Sequence, residues 1–236
     1  MKAFRLRRML RRFGVDVVRY DERRSSDLRR LYLLSRYGVE VVLDVGANDG
    51  SYAAGLRAFG FRGRIVSFEP QAAAYERLAH RALSDPLWEC RPVAVGAAAG
   101  VVALNISANS SSSSLLEMES RHVAAAPTSR YVAKEQATMI SLDESQLLEP
   151  GERALLKADV QGFELEVLRG SERTLEQVEL VEVELSLVPL YAGAPLLPEV
   201  YEHLRERGFA LVGLEPVLLD PAGAVLQLDG LFARSA

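Results

Sequence analysis

The first residues suited to chemistry form a turn that contains two glycines and follows an apolar strand. Because glycine has no side chain, such a turn lets a ligand approach the backbone closely, and the helix that follows it offers free N–H donors. The carboxyl ends of strands are also where α/β folds place their ligands. The candidate cofactor-binding residues of this stretch are Asp44, Gly46, Ala47, Asn48, Gly50 and Tyr52.

A carboxylate ends the next predicted strand. Glu69 follows Asp44 by 25 positions and precedes Pro70, and a carboxylate at this point can accept two hydrogen bonds from a ribose diol. Together, the turn and Glu69 indicate a nucleoside ligand. The alternative is a glycine turn that only packs a helix on a strand.

The glycine spacing decides between nucleoside ligands. A dinucleotide site uses G-x-G-x-x-G, whose middle glycine makes room for the pyrophosphate, but Asn48 stands at that position. Asp44 would repel phosphates and suits a cationic amino group, and S-adenosylmethionine carries both an ammonium and a sulfonium. We therefore predict S-adenosylmethionine as the cofactor. An oxidoreductase that uses a nicotinamide dinucleotide is the runner-up.

Strand ends must meet at one edge of a sheet to bring these residues together. Short β-branched runs alternate with helical patterns along the chain, which is typical of a mostly parallel α/β sheet. Strands are predicted at 39–45, 64–68, 89–95, 155–160 and 180–187, and helices at 51–59, 71–83 and 198–207. Strands near 210–219 and 225–232 predict a closing antiparallel hairpin.

Two segments do not follow this alternation of strands and helices. Residues 96–150 or so predict an inserted hairpin with mobile loops, including a serine run at 110–114 and a strand near 138–142. Residues 1–36 carry 12 Lys/Arg and 4 Asp/Glu, a net charge of +8 against −12 for the remainder. We predict a basic arm over 1–36 with an amphipathic stretch near 4–13, and a main domain over 37–236. The arm could dock on the acidic body, contact an anionic substrate or membrane surface, or fray.

Composition narrows the class of protein. A chain of 236 residues and 25.9 kDa is long enough for one domain with a large core. Its longest uncharged apolar run has 12 residues at 93–104, where a membrane span needs about 20, and arginines interrupt any secretory h-region. Cys90 stands alone, which excludes an internal disulfide and a cysteine-based metal site. We expect a cytoplasmic protein, and nucleic acid is a poor partner for the acidic body.

Five blocks of the chain resemble the FkbM family of S-adenosylmethionine-dependent methyltransferases. They are VVLDVGANDGSYA, IVSFEPQAAAYERL, ATMISLDE, LLKADVQGFELEVLRGSERTL and VELVEVELS, within residues 40 to 232. The family's K-x-D-v-x-G-x-E-x-x-v-L-x-G segment stands here at Lys157, Asp159, Gly162, Glu164, Leu168 and Gly170. One departure is Gln161, where many members carry a glutamate.

The resemblance implies a class I methyltransferase (Rossmann-like) fold with helices on both faces of the sheet. It also implies O-methylation of a hydroxyl group, preferably on a sugar of a secondary metabolite or glycolipid. A non-sugar, polyketide-type hydroxyl and a catalytically silent binding module are the alternatives. By the family pattern, the turn after the first strand lines the methionine end of the cofactor and Glu69 lines the ribose.

Methyl transfer to a hydroxyl needs a positioned acceptor and a nearby base or metal ion. Asp159, at the end of the fourth strand, is the candidate base or orienting carboxylate, and a helix N-cap is its alternative role. Glu184, on the fifth strand, is predicted to lie beside it unless that strand forms an edge. The two could hold Mg²⁺, but no dense ligand cluster is visible and a metal is not favoured.

The acceptor side is predicted from hydroxyl and ring chemistry. Serine hydroxyls can bind a sugar, a tyrosine ring can stack on one, and a histidine in the insert could reach the substrate. A linker or simple packing is the competing interpretation. The candidate substrate-binding residues are Ser113, Ser114, His122, Gln161 and Tyr191. The sequence leaves the oligomeric state open.

Overall fold

The computed structural model describes residues 9–15 and 25–235. The helices are α1 (Ser26–Arg36), α2 (Ser51–Phe59), α3 (Ala72–Ala82), α4 (Ser120–Ala125), α5 (Leu142–Ser145), α6 (Glu164–Arg169) and α7 (Leu197–Glu206). The strands are β1 (Val41–Val45), β2 (Arg64–Phe68), β3 (Trp88–Arg91), β4 (Ala94–Val95), β5 (Gly100–Ser107), β6 (Tyr131–Ile140), β7 (Ala154–Ala158), β8 (Val178–Ser186), β9 (Phe209–Leu219) and β10 (Val225–Arg234). In this part of the chain, no helix has the length and apolar character needed to cross a bilayer.

Seven strands form the main sheet, in the order β3-β2-β1-β7-β8-β10-β9. The pairs among β3, β2, β1, β7 and β8 are parallel, and β10 is antiparallel to both β8 and β9. All five residues of β1 are buried, as is typical of a parallel strand covered on both faces. The predicted mostly parallel sheet with a C-terminal antiparallel hairpin is confirmed.

Helices cover both faces of the main sheet. On one face, α1, α2 and α3 bury Leu34, Leu56 and Leu78 against the strands. On the other face, α6 and α7 bury Val167 and Leu204. Burial of apolar surface on both sides fixes the strand ends relative to one another, so the loops at the carboxyl edge have a rigid base.

The helix α1 lies inside the segment that its charge assigns to the basic arm. Its N-cap Ser25 accepts a hydrogen bond from the backbone N–H of Leu28 at 3.4 Å. Arg30 forms a two-pronged ion pair with Glu182 of β8. Residues 26–36 therefore pack on the sheet. Of the predicted amphipathic stretch near 4–13, residues 4–8 lie outside the described residues.

The predicted third strand, 89–95, is wrong as a single element. The strand β3 ends at Arg91, because Pro92 has no N–H to give to the ladder. Ala94–Val95 (β4) instead joins a second sheet of order β4-β6-β5. The antiparallel pair β5 and β6 lies in the segment where an inserted hairpin was predicted, and residues 108–130 between the two strands contain α4. The strand expected near 138–142 is the end of the longer β6, and Leu142 begins α5.

Candidate functional site

The loop after β1 is held tightly at the carboxyl edge of the main sheet. Gly46 has a φ of +76°, and a Cβ atom there would lie 1.9 Å from the carbonyl oxygen of Asp159. The N–H groups of Gly46 and Ala47 both donate to the carbonyl of Phe68. Asn48 is left-handed too, with a φ of 47°, a strained conformation for a residue other than glycine and one that concentrates at functional sites. The loop thus bridges the ends of β2 and β7.

The carboxylate of Glu69 faces a cavity from the end of β2. Its Oε2 accepts a hydrogen bond from the N–H of Asn48 at 2.8 Å, and its Oε1 accepts one from the N–H of Gln71 at 2.8 Å. Burial raises the pKa of Glu69 to about 7, although the two backbone hydrogen bonds oppose the shift. Each oxygen keeps a lone pair for a further donor, so the group can bind hydroxyl groups of a ligand.

The cavity lies beside this carboxylate and opens to solvent, as is typical of a small-molecule cleft. Its polar wall contains Gly46, Asn48, Glu69, Ser113, Asp159 and Gln161. Its apolar wall contains Phe68, Val93, Val95, Leu104, Leu115 and Phe163. Sequence reasoning missed the apolar wall, because its residues come from five separate segments that only the fold brings together.

Four residues predicted to bind the cofactor lie outside the cavity wall: Asp44, Ala47, Gly50 and Tyr52. Ala47 is buried in the core under α2. Gly50 faces α3, since a Cβ atom there would lie 2.8 Å from Leu78 Cδ1. The hydroxyl of Tyr52 donates to Glu182 Oε2 at 2.8 Å. Pro70, by contrast, lines the cavity beside Glu69.

A buried ion pair supports the loop from behind. The carboxylate of Asp44 is fully buried and does not reach the cavity; its Oδ2 accepts from Ser67 Oγ at 3.0 Å. The Nζ of Lys157 lies 3.4 Å from Asp44 Oδ1 and 3.5 Å from Asp159 Oδ2, and it donates to the carbonyl of Gly46 at 3.2 Å. Sequence reasoning gave Lys157 no role. Its position two residues before Asp159, on the same face of β7, was the available signal.

Replacement of Lys157 by methionine should destabilise the protein strongly. Burial raises the pKa of Asp44 and Lys157 opposes that shift, so the variant leaves a buried carboxylate without its cation. We expect the free energy of unfolding to fall by about 3 kcal/mol, measured by urea denaturation. The double variant Asp44→Asn/Lys157→Met is the control, because it removes both charges and should recover much of the loss. A loss below about 0.5 kcal/mol in the single variant would contradict this account.

The amide of Gln161 links two of the predicted catalytic carboxylates. Its Nε2 donates to Asp159 Oδ1 at 2.8 Å and to Glu184 Oε2 at 2.9 Å. Its Oε1 accepts from the hydroxyl of Tyr191 at 2.6 Å, and its backbone carbonyl accepts from Ser114 Oγ at 2.7 Å. Gln161 is the second left-handed residue of the wall, with a φ of 56°. These four hydrogen bonds hold it in that conformation.

The two carboxylates differ in their access to the cavity. Asp159 lines the cavity, and its side chain is 39% exposed. Glu184 lies behind Gln161, and its Oε2 also accepts from Gln227 Nε2 at 2.9 Å. Burial, and then the charge of Asp159, raises the pKa of Glu184 well above its ordinary value. Of the two, only Asp159 can touch a ligand directly.

The serine run is anchored and forms part of the site. Ser113 and Ser114 both line the cavity, together with Ser111. The hydroxyl of Ser110 donates to Asn48 Oδ1 at 2.8 Å and lies 3.0 Å from Gln71 Oε1. This connection between the insert and the loop after β1 was not visible in the sequence. The serine run, which was predicted to be a mobile loop, is therefore held against the carboxyl edge of the sheet.

His122 and Tyr191 pack together behind the wall. Their ring centroids lie 5.0 Å apart at an angle of 87°, and both side chains are buried. Burial lowers the pKa of His122. Neither ring lines the cavity, and Tyr191 reaches it only through its hydrogen bond to Gln161.

No cluster of three or more His, Cys, Asp or Glu side chains within residues 9–15 and 25–235 has the geometry to hold a metal ion. Asp159 and Glu184, the pair considered for Mg²⁺, both accept hydrogen bonds from Gln161 Nε2. An amide nitrogen is a donor only and offers no lone pair to a cation. The space between the two carboxylates is therefore taken by amide hydrogens.

Comparison with known proteins gives both family and fold neighbours. Residues 44–211 match the family described as the methyltransferase FkbM domain. The hexuronic acid methyltransferase AglP of Haloferax volcanii is 27% identical over 201 residues, which cover 81% of this chain and 77% of AglP. A rRNA methylase from Streptococcus thermophilus is 13% identical, covering 88% of this chain and 95% of its own, with a TM-score of 0.48. A ribosomal protein L11 methylase from Lactobacillus delbrueckii subsp. bulgaricus is 10% identical, covering 87% and 77%, with a TM-score of 0.47.

Proposed function

The chain belongs to the FkbM family of methyltransferases and has the class I methyltransferase fold, and from this premise we propose that it methylates a sugar hydroxyl with S-adenosylmethionine as methyl donor. The observation that carries the proposal is that Glu69, at the end of β2, and Asp159, at the end of β7, line the same cavity. Glu69 would accept the ribose hydroxyls, and Asp159 would take the proton of the acceptor hydroxyl.

The residues of the cavity fit S-adenosylmethionine as the methyl donor. Phe68, Val95 and Leu104 offer apolar surface for the adenine ring. At the other end, the cluster of Asp44, Lys157 and Asp159 holds two carboxylates against one ammonium, and its net negative charge favours a ligand that carries a sulfonium and an ammonium. Asp44 thus acts on the ligand through the cluster and not by direct contact.

Asp159 supplies the general base. S-adenosylmethionine, when bound, supplies an electrophilic methyl group on its sulfonium. An aliphatic hydroxyl is a weak nucleophile. A carboxylate within reach would accept its proton as the new C–O bond forms and the bond between the methyl carbon and sulfur breaks, with S-adenosylhomocysteine as the leaving group. Gln161 holds one oxygen of Asp159 by a hydrogen bond at 2.8 Å, which turns the carboxylate and leaves the other oxygen beside Lys157 and the cavity. The apolar wall excludes water, so that positioning of the acceptor accounts for much of the rate.

A sugar is the acceptor that the available comparison favours. The relative AglP is named for methylation of a hexuronic acid, and its alignment covers 81% of this chain at 27% identity. The hydroxyls of Ser111 and Ser113 and the carboxylate of Asp159 line the cavity and suit hydrogen bonding to a polyhydroxylated ring. A polyketide-type hydroxyl would make less use of this polar wall.

The experiment combines binding with product analysis. Calorimetry with S-adenosylhomocysteine and with NAD tests the cofactor, and incubation with radiolabelled S-adenosylmethionine and a panel of glycosides tests the acceptor. We expect micromolar binding of S-adenosylhomocysteine and no binding of NAD. The methylated product should be a methyl ether, which resists mild base. A base-labile methyl ester would show transfer to a carboxylate. Binding without turnover on any glycoside, or binding of NAD alone, would overturn the proposal.

The affinity for S-adenosylhomocysteine should depend on pH through Glu69. The ribose hydroxyls donate to the charged carboxylate, and the pKa of Glu69 in the free protein is about 7. Below that value the group must lose a proton before it binds, so affinity should fall by about tenfold per pH unit as the pH drops from 7 to 5.5. Above pH 8 the affinity should be constant. Calorimetry across this range measures the effect.

The matched variant is Glu69→Gln, which keeps the shape of the side chain but cannot titrate. It should bind S-adenosylhomocysteine more weakly at every pH, with no slope near pH 7. A wild-type profile that is flat from pH 5.5 to 8.5 would contradict contact between Glu69 and the ligand.

A further inference from the structure

Ser110 of the insert joins the two residues that hold the carboxylate of Glu69. Its hydroxyl lies 2.8 Å from Asn48 Oδ1 and 3.0 Å from Gln71 Oε1. The backbone N–H groups of the same two residues donate to the two oxygens of Glu69, each at 2.8 Å. One hydroxyl is therefore connected, through both neighbours, to the carboxylate that faces the cavity.

A third contact fixes the direction of this hydroxyl. Arg77 Nη2 of α3 donates to Ser110 Oγ at 3.1 Å, so one lone pair of the hydroxyl is occupied. Its own proton is then directed towards the side-chain oxygens of Asn48 and Gln71, which can only accept. As both acceptor and donor, Ser110 connects α3 with the loop after β1.

Backbone strain occurs at the same contact. Asn48 and Ser110 are both left-handed, with φ values of 47° and 66°. Among residues 9–15 and 25–235, the other non-glycine residues with positive φ are Gln146 and Gln161, and Gln161 lines the cavity. Such conformations persist only where surrounding contacts fix them, and they concentrate at functional sites. Three of the four thus lie at the cavity or next to a residue of its wall.

The serine run gives Ser110 a rigid support. The side chain of Asn109 accepts from Ser107 Oγ at 2.7 Å and donates to Ser112 Oγ at 3.0 Å. Ser113 Oγ accepts from the N–H of Ser107 at 3.1 Å. Hydrogen bonds on both sides of Ser110 therefore close the loop on itself and hold the hydroxyl against Asn48.

We propose that Ser110 is a positioning residue for cofactor binding, which sets Asn48 and Gln71 so that their N–H groups orient the carboxylate of Glu69 towards the ribose. This inference rests on the proposed function, because it needs a ribose at Glu69. Ser110 lies outside the cavity wall, so it acts through its two neighbours and not by contact with the ligand. Its loss should change both how Glu69 binds and how it titrates.

The test is calorimetry of S-adenosylhomocysteine with the full chain and with its variant Ser110→Ala. At pH 8.5 we expect the affinity of the variant to fall by about tenfold, as for the loss of one hydrogen bond in a partly buried network. The left-handed backbone costs alanine and serine alike, so the hydroxyl is the group that this comparison removes.

The pH profile of the affinity should also move. The N–H groups of Gln71 and Asn48 lower the pKa of Glu69 against the effect of burial, so looser contacts raise that pKa above its value of about 7 in the wild type. Affinity should then begin to fall at a higher pH in Ser110→Ala. The other charges that reach Glu69, Lys157 on β7 and Asp44 on β1, are the same in both proteins.

Two further variants separate the hydroxyl from its surroundings. Ser112→Ala is the matched control, because it removes a hydroxyl of the same run that accepts from Asn109 and lies outside the cavity wall. It should bind like the wild type. In Ser110→Gly, glycine adopts positive φ without strain but lacks the hydroxyl, so this variant should bind as weakly as Ser110→Ala.

Glu69→Gln completes a double-mutant cycle. One terminal atom of glutamine is a donor and cannot accept an N–H bond, so Ser110→Ala should cost only about twofold more in this background. A full tenfold loss there, an equal loss in Ser112→Ala, wild-type affinity in Ser110→Gly or an unshifted pH profile would each overturn the inference. If the wild type binds S-adenosylhomocysteine and the Ser110 variants match it, the inference alone fails. If the wild type does not bind it, the proposed function fails as well.

Discussion

The variant Gly46→Ala should bind S-adenosylhomocysteine at least about 100-fold more weakly in calorimetry, since displacements near 1 Å at a site cost this much. The new Cβ atom would lie 1.9 Å from the carbonyl oxygen of Asp159 and 2.8 Å from its carbonyl carbon. Both atoms belong to the backbone, so no side chain can rotate away. The φ of +76° adds strain for any residue with a Cβ atom. The loop must therefore move away from the end of β7, and the cavity wall opens.

Gly60→Ala provides the matched comparison. Gly60 ends α2 with a φ of +111°, and nothing lies within 4 Å of its added Cβ atom. This variant carries the cost of the left-handed conformation without a clash, so it should lose stability but keep its affinity. Circular dichroism should show that both variants fold. Equal affinities in the two variants would show that the close approach of Gly46 to Asp159 does not shape the site.

Much of the candidate site was predictable because its residues lie at strand ends. Gly46, Glu69 and Asp159 each follow a parallel strand, and parallel strands in one sheet end at the same edge. No contact between them had to be known in advance. The order of apolar runs and turns was enough to predict both the sheet and the edge at which these residues meet.

Residues on helices and strands were harder to assign, because their partners depend on tertiary packing. Asp44 alternates with its neighbours in β1, so its side chain enters the buried face with Lys157 and not the loop. Tyr52 belongs to α2 and finds Glu182 on β8. Arg30 was counted with a basic arm on charge alone, yet its partner is also Glu182. A single sequence contains no signal that pairs such distant positions.

Contacts between the cavity wall and the residues behind it explain why the site needs more than the groups that a ligand touches. Gln161 is fixed by Tyr191 and Ser114, and it fixes Asp159 in turn. Lys157 holds the other oxygen of Asp159 and the carbonyl of Gly46. The base and the loop after β1 therefore share one support, and a change in either is transmitted to the other.

Asp159→Asn should lower kcat by about 10² to 10⁴-fold, the range that loss of a general base produces. Asparagine keeps the size of the side chain, and its amide oxygen can still accept the hydrogen bond from Gln161 Nε2. It cannot take a proton from the acceptor. Because Asp44 still balances the charge of Lys157, affinity for S-adenosylhomocysteine should change by only a few-fold. Steady-state kinetics with the glycoside acceptor and calorimetry measure the two effects.

Glu184→Gln separates the base from its neighbour. Glu184 does not line the cavity, and its Oε2 accepts hydrogen bonds from Gln161 and Gln227, which a glutamine oxygen can also accept. We expect a loss of kcat of about tenfold or less, because the variant alters only how Asp159 is positioned. A large loss in Glu184→Gln with normal turnover in Asp159→Asn would assign the base to Glu184 instead. Normal turnover in both variants would mean that positioning of the acceptor alone drives the reaction, which contradicts the role given to Asp159.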